Sequence, residues 1–203
     1  KLNALGYCIG GTLLSILANK LMELGKNESS GNNRSGGGDI LGSGSGLNSV
    51  TFLTTLLDFS EPGEIGAFFD KSHFENIKNS VIANGFFSAK NMASVFSMLR
   101  ARDMIFNSVV NNYLLGKQPV SFDILSWNAD ATSLPAKMYA SYLENFYYNN
   151  LLTKPNALNM LDVGVDLSRV NVPAYVLAAQ KDHIVPWQSA YNSAKLLGSF
   201  TEK

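Results

Sequence analysis

A cysteine flanked by glycines, at the point where an apolar strand turns into a helix, restricts what this chain can become. Residues 1–6, KLNALG, are short and largely apolar, and they run directly into Gly6-Tyr7-Cys8-Ile9-Gly10-Gly11. Leucines then recur at helical spacing at positions 13, 17, 21 and 24, and Gly25 predicts the end of the helix. The sequence therefore predicts a strand, a tight turn and a helix, with Cys8 in the turn.

The turn has the G-x-nucleophile-x-G pattern of an α/β-hydrolase elbow, with cysteine where serine is usual. We expect side chains at Gly6 and Gly10 to collide with the neighbouring helix and strand. The backbone N–H of Ile9, at the helix start, is expected to form part of the oxyanion hole and to help hold Cys8 as a thiolate. The alternative is that Cys8 is a small buried hydrophobic residue, as free cysteines often are. The surrounding strand, glycines and helix favour the nucleophile.

The remaining pattern predicts an α/β-hydrolase fold with a partial parallel sheet and an inserted, mainly helical cap. The apolar runs 50–59 and 172–179 suit buried parallel strands. Fifteen of the 22 aromatic residues lie between positions 68 and 148, too many for a surface connection. We predict a first core part at residues 1–64, the cap at 65–160 and a second core part at 161–203. Three strands make a small sheet, so we expect a chain truncated at both ends. The histidine of a hydrolase triad normally follows one further strand, so we expect the chain to end before that histidine.

Residues 27–49 change composition abruptly, because seven of the 17 glycines lie between positions 31 and 46 among serines and asparagines. Such a stretch cannot bury enough apolar surface to offset its ordering entropy, so we predict a flexible surface insertion. A phosphate-binding loop at residues 36–38 is the alternative. It is disfavoured, because no GxxxxGK[ST] pattern accompanies these glycines.

Charge and cysteine content exclude several classes of protein. Sixteen Lys and Arg balance 16 Asp and Glu, and the basic residues are scattered, which disfavours recruitment by nucleic acid or an anionic membrane. The single cysteine cannot form an internal disulfide, so a reducing compartment fits. No apolar run approaches membrane-spanning length. The sequence predicts a globular α/β protein without a membrane span.

A cysteine nucleophile needs a base, and the base needs an orienting acid. Asp58 and Asp182 both end predicted strands, and Asp182 is favoured because it follows the strand after the cap, whereas Asp58 also suits the start of a turn. Asp130 lies inside the aromatic segment and is expected to cap a helix or turn. Of the two histidines, His73 is expected to be exposed, and His183 directly follows Asp182, so it is poorly placed for that acid to orient it.

Five blocks in this order resemble the catalytic region of class I polyhydroxyalkanoate synthases. They are GYCIGGTL from Gly6, FLTTLLDF from Phe52, VNNYLLG from Val110, WNAD from Trp127 and DHIVPW from Asp182. The resemblance spans nearly all of the chain apart from the glycine- and serine-rich insertion, which is not typical of the family. Phe106 also departs from the family, since relatives commonly have tryptophan there.

The resemblance implies an acyltransferase that polymerises (R)-3-hydroxyacyl-CoA, typically 3-hydroxybutyryl-CoA, into polyester and releases coenzyme A. It assigns Cys8 as the catalytic cysteine, Asp182 as the catalytic aspartate and His183 as an active-site neighbour. The family's catalytic histidine comes further on, in a Gly-His segment that this sequence does not reach, so we expect residues 1–203 alone to be inactive. No cofactor and no metal are implied.

The resemblance also implies partners and a location: the hydroxyacyl-CoA substrate, the growing polyester, a homodimer through the cap, and the surface of polymer granules in the cytoplasm. Two other functions stay open. One is a cysteine hydrolase of esters or thioesters on the same scaffold. The other is a non-catalytic granule-associated or interaction protein, because a triad histidine is not among these residues.

Overall fold

The computed structural model describes residues 1–30, 46–68, 71–99, 101, 105–119, 123, 127, 130 and 132–201, with backbone only at 27–30, 67, 68 and 71–73. The chain divides into two compact units, one made of residues 1–66 and 144–203 and the other of residues 67–143. Most of the predicted insertion, including the glycines at 36–38, lies outside the described residues.

The first unit is built on a three-stranded parallel sheet. In their order across the sheet, the strands are β1 (Leu2–Tyr7), β2 (Leu47–Leu53) and β7 (Ala174–Leu177). Val50 of the central strand is fully buried and pairs with both neighbours. Because the strands are parallel, their carboxyl ends lie at one edge of the sheet. Cys8 follows β1 at this edge, and the segment leading to Asp182 follows β7 there. The predicted parallel α/β architecture is confirmed.

Among its described residues, this unit has two α-helices, α1 (Ile9–Ser30) and α5 (Trp187–Lys195). Its shorter elements are two 3-10 turns (Leu151–Thr153 and Leu167–Arg169) and the hairpin of β5 (Asn159–Met160) and β6 (Val163–Gly164). A 3-10 turn (Gly63–Phe68) and a π-helical turn (Leu143–Tyr148) cross the unit boundaries.

Two predicted element ends are wrong. Helix α1 continues through Gly25 to Ser30, since one glycine costs a helix only about 1 kcal/mol and does not stop it. Strand β2 begins at Leu47 and ends at Leu53, six residues before the predicted end at Phe59. It ends there because Thr54 turns into the left-handed region, with φ of 43°.

The described part of the second unit contains three α-helices, a π-helical turn and a two-stranded antiparallel pair. They are α2 (Lys71–Asn84), β3 (Phe86–Phe87), α3 (Ala89–Leu99), the π-helical turn (Val109–Leu114), β4 (Leu134–Pro135) and α4 (Ala136–Tyr142). Val81, Phe87 and Ala136 form a buried cluster, and the rings of Phe87 and Tyr139 stack at 4.1 Å. The role of this unit as a cap stays a prediction.

Residues 144–160 group with the sheet-containing unit, although we predicted a single cap segment from 65 to 160. Phe59, which follows β2, explains this grouping: its ring lies 5.7 Å from that of Phe146 and 4.8 Å from that of Tyr147. Aromatic density alone does not distinguish residues that pack on the sheet from those in the second unit.

Candidate active site

Cys8 occupies a sharp turn between β1 and α1. Its φ of 52° lies in the left-handed region, which non-glycine residues rarely adopt. Its N–H donates to Leu53 O on β2 at 3.0 Å, and its carbonyl oxygen accepts from the N–H groups of Gly11 at 2.9 Å and Thr12 at 3.3 Å. The backbone of Cys8 is therefore held on both sides in a conformation typical of functional residues.

The turn requires glycine at positions 6 and 11, and not at positions 6 and 10 as we predicted. A Cβ at Gly6 would lie 2.5 Å from Gly11 Cα, so the predicted collision at Gly6 is confirmed. A Cβ at Gly10 would meet no described atom within 4 Å, so the predicted collision there is wrong. Gly11 is the second constrained position, because a Cβ there would meet the side chain of Thr55, with Cγ2 at 2.6 Å.

Cys8 is half-buried. Burial raises the pKa of the Cys8 thiol, a hydrogen bond from Ile9 N–H lowers it, and the charge of Asp182 raises it. The helix start thus favours the thiolate as we expected. Burial outweighs that effect, so the net pKa of the Cys8 thiol is raised.

Asp182 lies in the loop that follows β7, in the same unit as Cys8. Its N–H donates to Ala179 O at 3.1 Å, and its Oδ1 accepts from the N–H groups of Ile184 and Val185, both at 2.9 Å. These bonds fix the carboxylate relative to the sheet edge. The charge of Asp182 acts on the Cys8 thiol, so the fold brings together two residues 174 positions apart in sequence (182 minus 8).

Asp58, the alternative acid, is engaged in a turn. Its Oδ1 accepts from the N–H of Ser60 at 2.9 Å and from Nδ2 of Asn150 at 2.8 Å. The first bond closes an Asx-type turn, the structural role that the sequence left open for this residue.

The other sequence candidates divide between the two units. His183 is half-buried in the first unit, and its carbonyl oxygen accepts from Glu64 N–H at 3.1 Å. His73 lies in α2, and its side chain is outside the described part of the structure. Asp130 is exposed in the second unit, and its N–H donates to Trp127 O at 3.2 Å, as in a turn.

Hydroxyl groups that the sequence analysis did not single out organise the loop after β2, and one of them is Thr12, which donates to Leu56 O at 2.8 Å. Thr55 donates to Cys8 O at 3.3 Å and to Leu53 O at 3.1 Å. Ser193 accepts from the N–H groups of Leu57 at 2.8 Å and Asp58 at 3.0 Å, and Ser189 donates to Glu61 O at 2.7 Å. The only sequence signal for the serines is their separation by four residues, which places them on one face of α5.

The described residues contain neither a metal-binding cluster nor a membrane-spanning helix. No group of three or more His, Cys, Asp or Glu side chains among them is arranged to hold a metal ion. No helix within the described ranges is both long and apolar enough to cross a membrane.

Comparison with known proteins gives one family and several relatives. A family model described as alpha/beta hydrolase fold matches residues 50–203. The chain is 38% identical to a poly(3-hydroxyalkanoate) polymerase subunit of Cupriavidus necator over 205 residues, covering 98% of this chain and 32% of that protein. It is 38% identical to a poly(3-hydroxyalkanoate) polymerase of Methylorubrum extorquens, covering 96% of this chain and 29% of the relative. A third relative, poly(3-hydroxyalkanoate) polymerase 1 of Ectopseudomonas oleovorans, is 37% identical, and the match covers 99% of this chain and 33% of that protein. The chain spans about a third of the length of these relatives.

Proposed function

Because the chain belongs to the alpha/beta hydrolase fold family and is similar along nearly its whole length to poly(3-hydroxyalkanoate) polymerases, we propose that it carries part of the active site of such a polymerase. The substrate is a (R)-3-hydroxyacyl-CoA, typically 3-hydroxybutyryl-CoA, and the products are polyester and free coenzyme A. The observation that carries the proposal is the left-handed elbow at Cys8, with the Asp182 carboxylate close enough to act on its thiol.

In the first step the sulfur of Cys8 attacks the thioester carbonyl of the substrate. The sulfur–carbon bond to Cys8 forms, the bond to coenzyme A breaks, and the proton of the Cys8 thiol ends on the departing coenzyme A sulfur. Because burial raises the pKa of the Cys8 thiol, attack requires a general base that removes the thiol proton as the bond forms. One thioester is exchanged for another, so the acyl group stays activated on the enzyme.

In the second step a hydroxyl group attacks the acyl-Cys8 thioester. Its oxygen forms the new ester bond, the carbon–sulfur bond breaks, and its proton returns to the Cys8 sulfur through the base. An ester is more stable than a thioester, so this step is downhill and drives chain growth.

Asp182 supports the base in this mechanism. We assign it the role of stabilising the charged form of a histidine, which the family resemblance expects in a Gly-His segment downstream of these residues. The two backbone N–H groups on Oδ1 support this role, because they hold the carboxylate in one orientation. His183 is a neighbour of the site in this proposal and is not the base.

Ile9 supplies one oxyanion donor. In the resting state its N–H donates to the Cys8 sulfur, at the first turn of α1. When the sulfur attacks, negative charge moves from it to the carbonyl oxygen of the substrate. We propose that the same N–H then stabilises this oxygen.

The proposal extends to the environment of the site. The aromatic segment at residues 65–160 acts as a cap that keeps competing water away from the acyl-enzyme, and it pairs two subunits. The enzyme works in the cytoplasm at the surface of polymer granules. These statements derive from the family resemblance.

Cys8→Ala in the full-length protein tests the central assignment. We expect no polymer from 3-hydroxybutyryl-CoA and no coenzyme A release above background, while mass spectrometry of the unsubstituted enzyme finds an acyl adduct on Cys8. Thermal unfolding of the variant is the control for folding. Undiminished polymer from Cys8→Ala overturns the proposal, and free hydroxyacid without polymer from the unsubstituted enzyme indicates a cysteine hydrolase instead.

A further inference from the structure

The end of β2 is bonded to both backbone polar groups of Cys8. Leu53 accepts the Cys8 N–H at 3.0 Å, and the Thr55 hydroxyl lies 3.3 Å from Cys8 O and 3.1 Å from Leu53 O. The carbonyl of Cys8 also accepts from two N–H groups at the start of α1. Of these bonds to the backbone of Cys8, the one from the Thr55 hydroxyl comes from a side chain, and the others come from backbone groups.

Thr54 has the backbone conformation that brings Thr55 to this position. Its φ of 43° is rare for a β-branched residue. Its N–H donates to Leu177 O of β7 at 2.8 Å, so the turn is tied to the third strand. Strain of this kind persists where the surroundings fix the backbone, and it is concentrated at functional sites.

Thr55 also fills the space beside the helix start. The residue is 1% exposed, and its side chain lies against Gly11, where even one added carbon atom would overlap it. A buried hydroxyl must donate to some acceptor, and here the two carbonyls at the elbow provide one. The packing and the hydrogen bonds of Thr55 thus both act on the same turn.

We propose that Thr55 is a positioning residue that holds the Cys8 elbow in its left-handed conformation and so aims the sulfur at the substrate carbonyl. The inference rests on the proposed role of Cys8 as nucleophile. Thr55 bonds to the backbone of Cys8 and not to the sulfur, so it acts through Cys8. Without the hydroxyl, the turn is free to relax, and the sulfur moves away from the N–H of Ile9.

The test compares Thr55→Val, which keeps the shape of the side chain but lacks the hydroxyl, with Thr55→Ser, which keeps the hydroxyl. For Thr55→Val in the full-length protein we expect acylation by 3-hydroxybutyryl-CoA about 5- to 20-fold slower, with KM unchanged. We expect the midpoint of the pH profile for alkylation of Cys8 by iodoacetamide to move to higher pH, because the sulfur loses the bond from Ile9. Thr55→Ser is expected to retain the unsubstituted rate within about twofold.

Ser15→Ala is the matched control, because Ser15 is also buried and donates to a backbone carbonyl, Thr12 O, at 2.7 Å, but does not bond to Cys8. We expect it to lower stability and leave the alkylation midpoint unchanged. If Thr55→Val does not fold, Thr55→Ala removes the same hydroxyl with less steric demand. A folded variant lacking the hydroxyl overturns the inference if its acylation rate and midpoint are unchanged, or if Ser15→Ala shifts the midpoint equally.

The alkylation measurement separates this inference from the proposed function, since iodoacetamide reacts with the sulfur whether or not the enzyme makes polymer. If Cys8→Ala still makes polymer, the nucleophile assignment fails. The alkylation profiles then still decide whether Thr55 positions the sulfur.

Discussion

Asn150 and Asp58 hold each other across 92 positions of sequence: Nδ2 of Asn150 donates to Asp58 Oδ1 at 2.8 Å. The Oδ1 of Asn150 accepts the N–H of Phe59 at 2.9 Å, so one amide satisfies two groups of the loop after β2. Asn150 has φ of 47°, a conformation that asparagine tolerates better than most residues. These contacts give Asp58 a structural role beside the site.

Replacing Asn150 by alanine removes both side-chain bonds and leaves a less suitable residue at a positive φ. We expect the free energy of unfolding to fall by about 2–4 kcal/mol, measured by urea denaturation of the full-length protein. Asn150→Gly is the matched variant, because it accepts the backbone conformation but also lacks the bonds. A destabilisation below about 0.5 kcal/mol for Asn150→Ala would contradict the role given to the amide.

The two aspartates are expected to respond differently to removal of their charge. Asp182→Asn keeps an oxygen for the N–H groups of Ile184 and Val185 but cannot stabilise a charged base, so we expect coenzyme A release to fall on the order of 100-fold or more. Asp58→Asn keeps an acceptor for the N–H of Ser60 and is expected to retain activity within about threefold. The reverse order of effects would make Asp58 the orienting acid.

The sequence predicted the elements around Cys8 well because the apolar period and the glycines act locally. A strand, a tight turn and a helix follow directly from residues 1–24. The pairing order of the strands, the helix running past Gly25 and the early end of β2 at Thr54 depend on contacts distant in sequence, which periodicity does not encode. The freedom of Gly10 and the constraint on Gly11 likewise depend on where the Thr55 side chain lies.

The net direction of the pKa shift of the Cys8 thiol could not be predicted from the sequence, for a similar reason. The helix start is visible in the sequence, and it does lower the pKa of the thiol. Burial, which raises that pKa more, depends on how the chain packs over the turn. Asp182, which also raises it, comes near only through the parallel sheet. The choice of Asp182 over Asp58 by strand order remains a prediction that the electrostatic link to Cys8 supports.

The pH dependence of Cys8 alkylation follows from these causes. Because burial raises the pKa of the Cys8 thiol, the alkylation midpoint of the native protein should lie above that of the same cysteine in urea-unfolded chain. Between the two midpoints only the unfolded chain has lost the proton, so the contribution of Cys8 to stability is complete below the lower midpoint and is lost as pH rises towards the upper one.

Asp182→Asn provides the internal check on that profile. Removing the negative charge should lower the pKa of the Cys8 thiol and move the midpoint to lower pH, while coenzyme A release falls. Iodoacetamide rates, read on the Cys8 peptide by mass spectrometry, give both midpoints. An unchanged midpoint in the variant would mean that the carboxylate does not act on the sulfur.

Of the two buried serines on α5, we expect Ser193 to contribute more than Ser189 to the free energy of unfolding. Its oxygen accepts the N–H groups of Leu57 and Asp58, so Ser193→Ala leaves two donors without that acceptor, and we expect a loss of about 2–4 kcal/mol in the free energy of unfolding. Ser189→Ala removes a single bond to Glu61 O and should cost about 1 kcal/mol. Equal losses in denaturant titrations would argue against this account.

Gly10 and Gly11, although adjacent, should tolerate an added methyl group very differently. Gly10→Ala places a Cβ where no described atom lies within 4 Å, in the first turns of α1, where alanine is favoured over glycine by up to about 1 kcal/mol. We therefore expect the free energy of unfolding of Gly10→Ala to be unchanged or slightly higher, and its rate of coenzyme A release to be retained.

Gly11→Ala instead drives a Cβ into the buried side chain of Thr55, which cannot move without disturbing its hydroxyl bonds at the Cys8 elbow. We expect a loss of about 1–3 kcal/mol in stability, with coenzyme A release falling by more than the loss of folded protein explains. Adding Thr55→Ala to Gly11→Ala removes both the hydroxyl oxygen and the methyl group of Thr55 that the new Cβ would overlap, and should recover part of the lost stability. If the double variant is no better than Gly11→Ala, the collision with Thr55 is not what limits position 11.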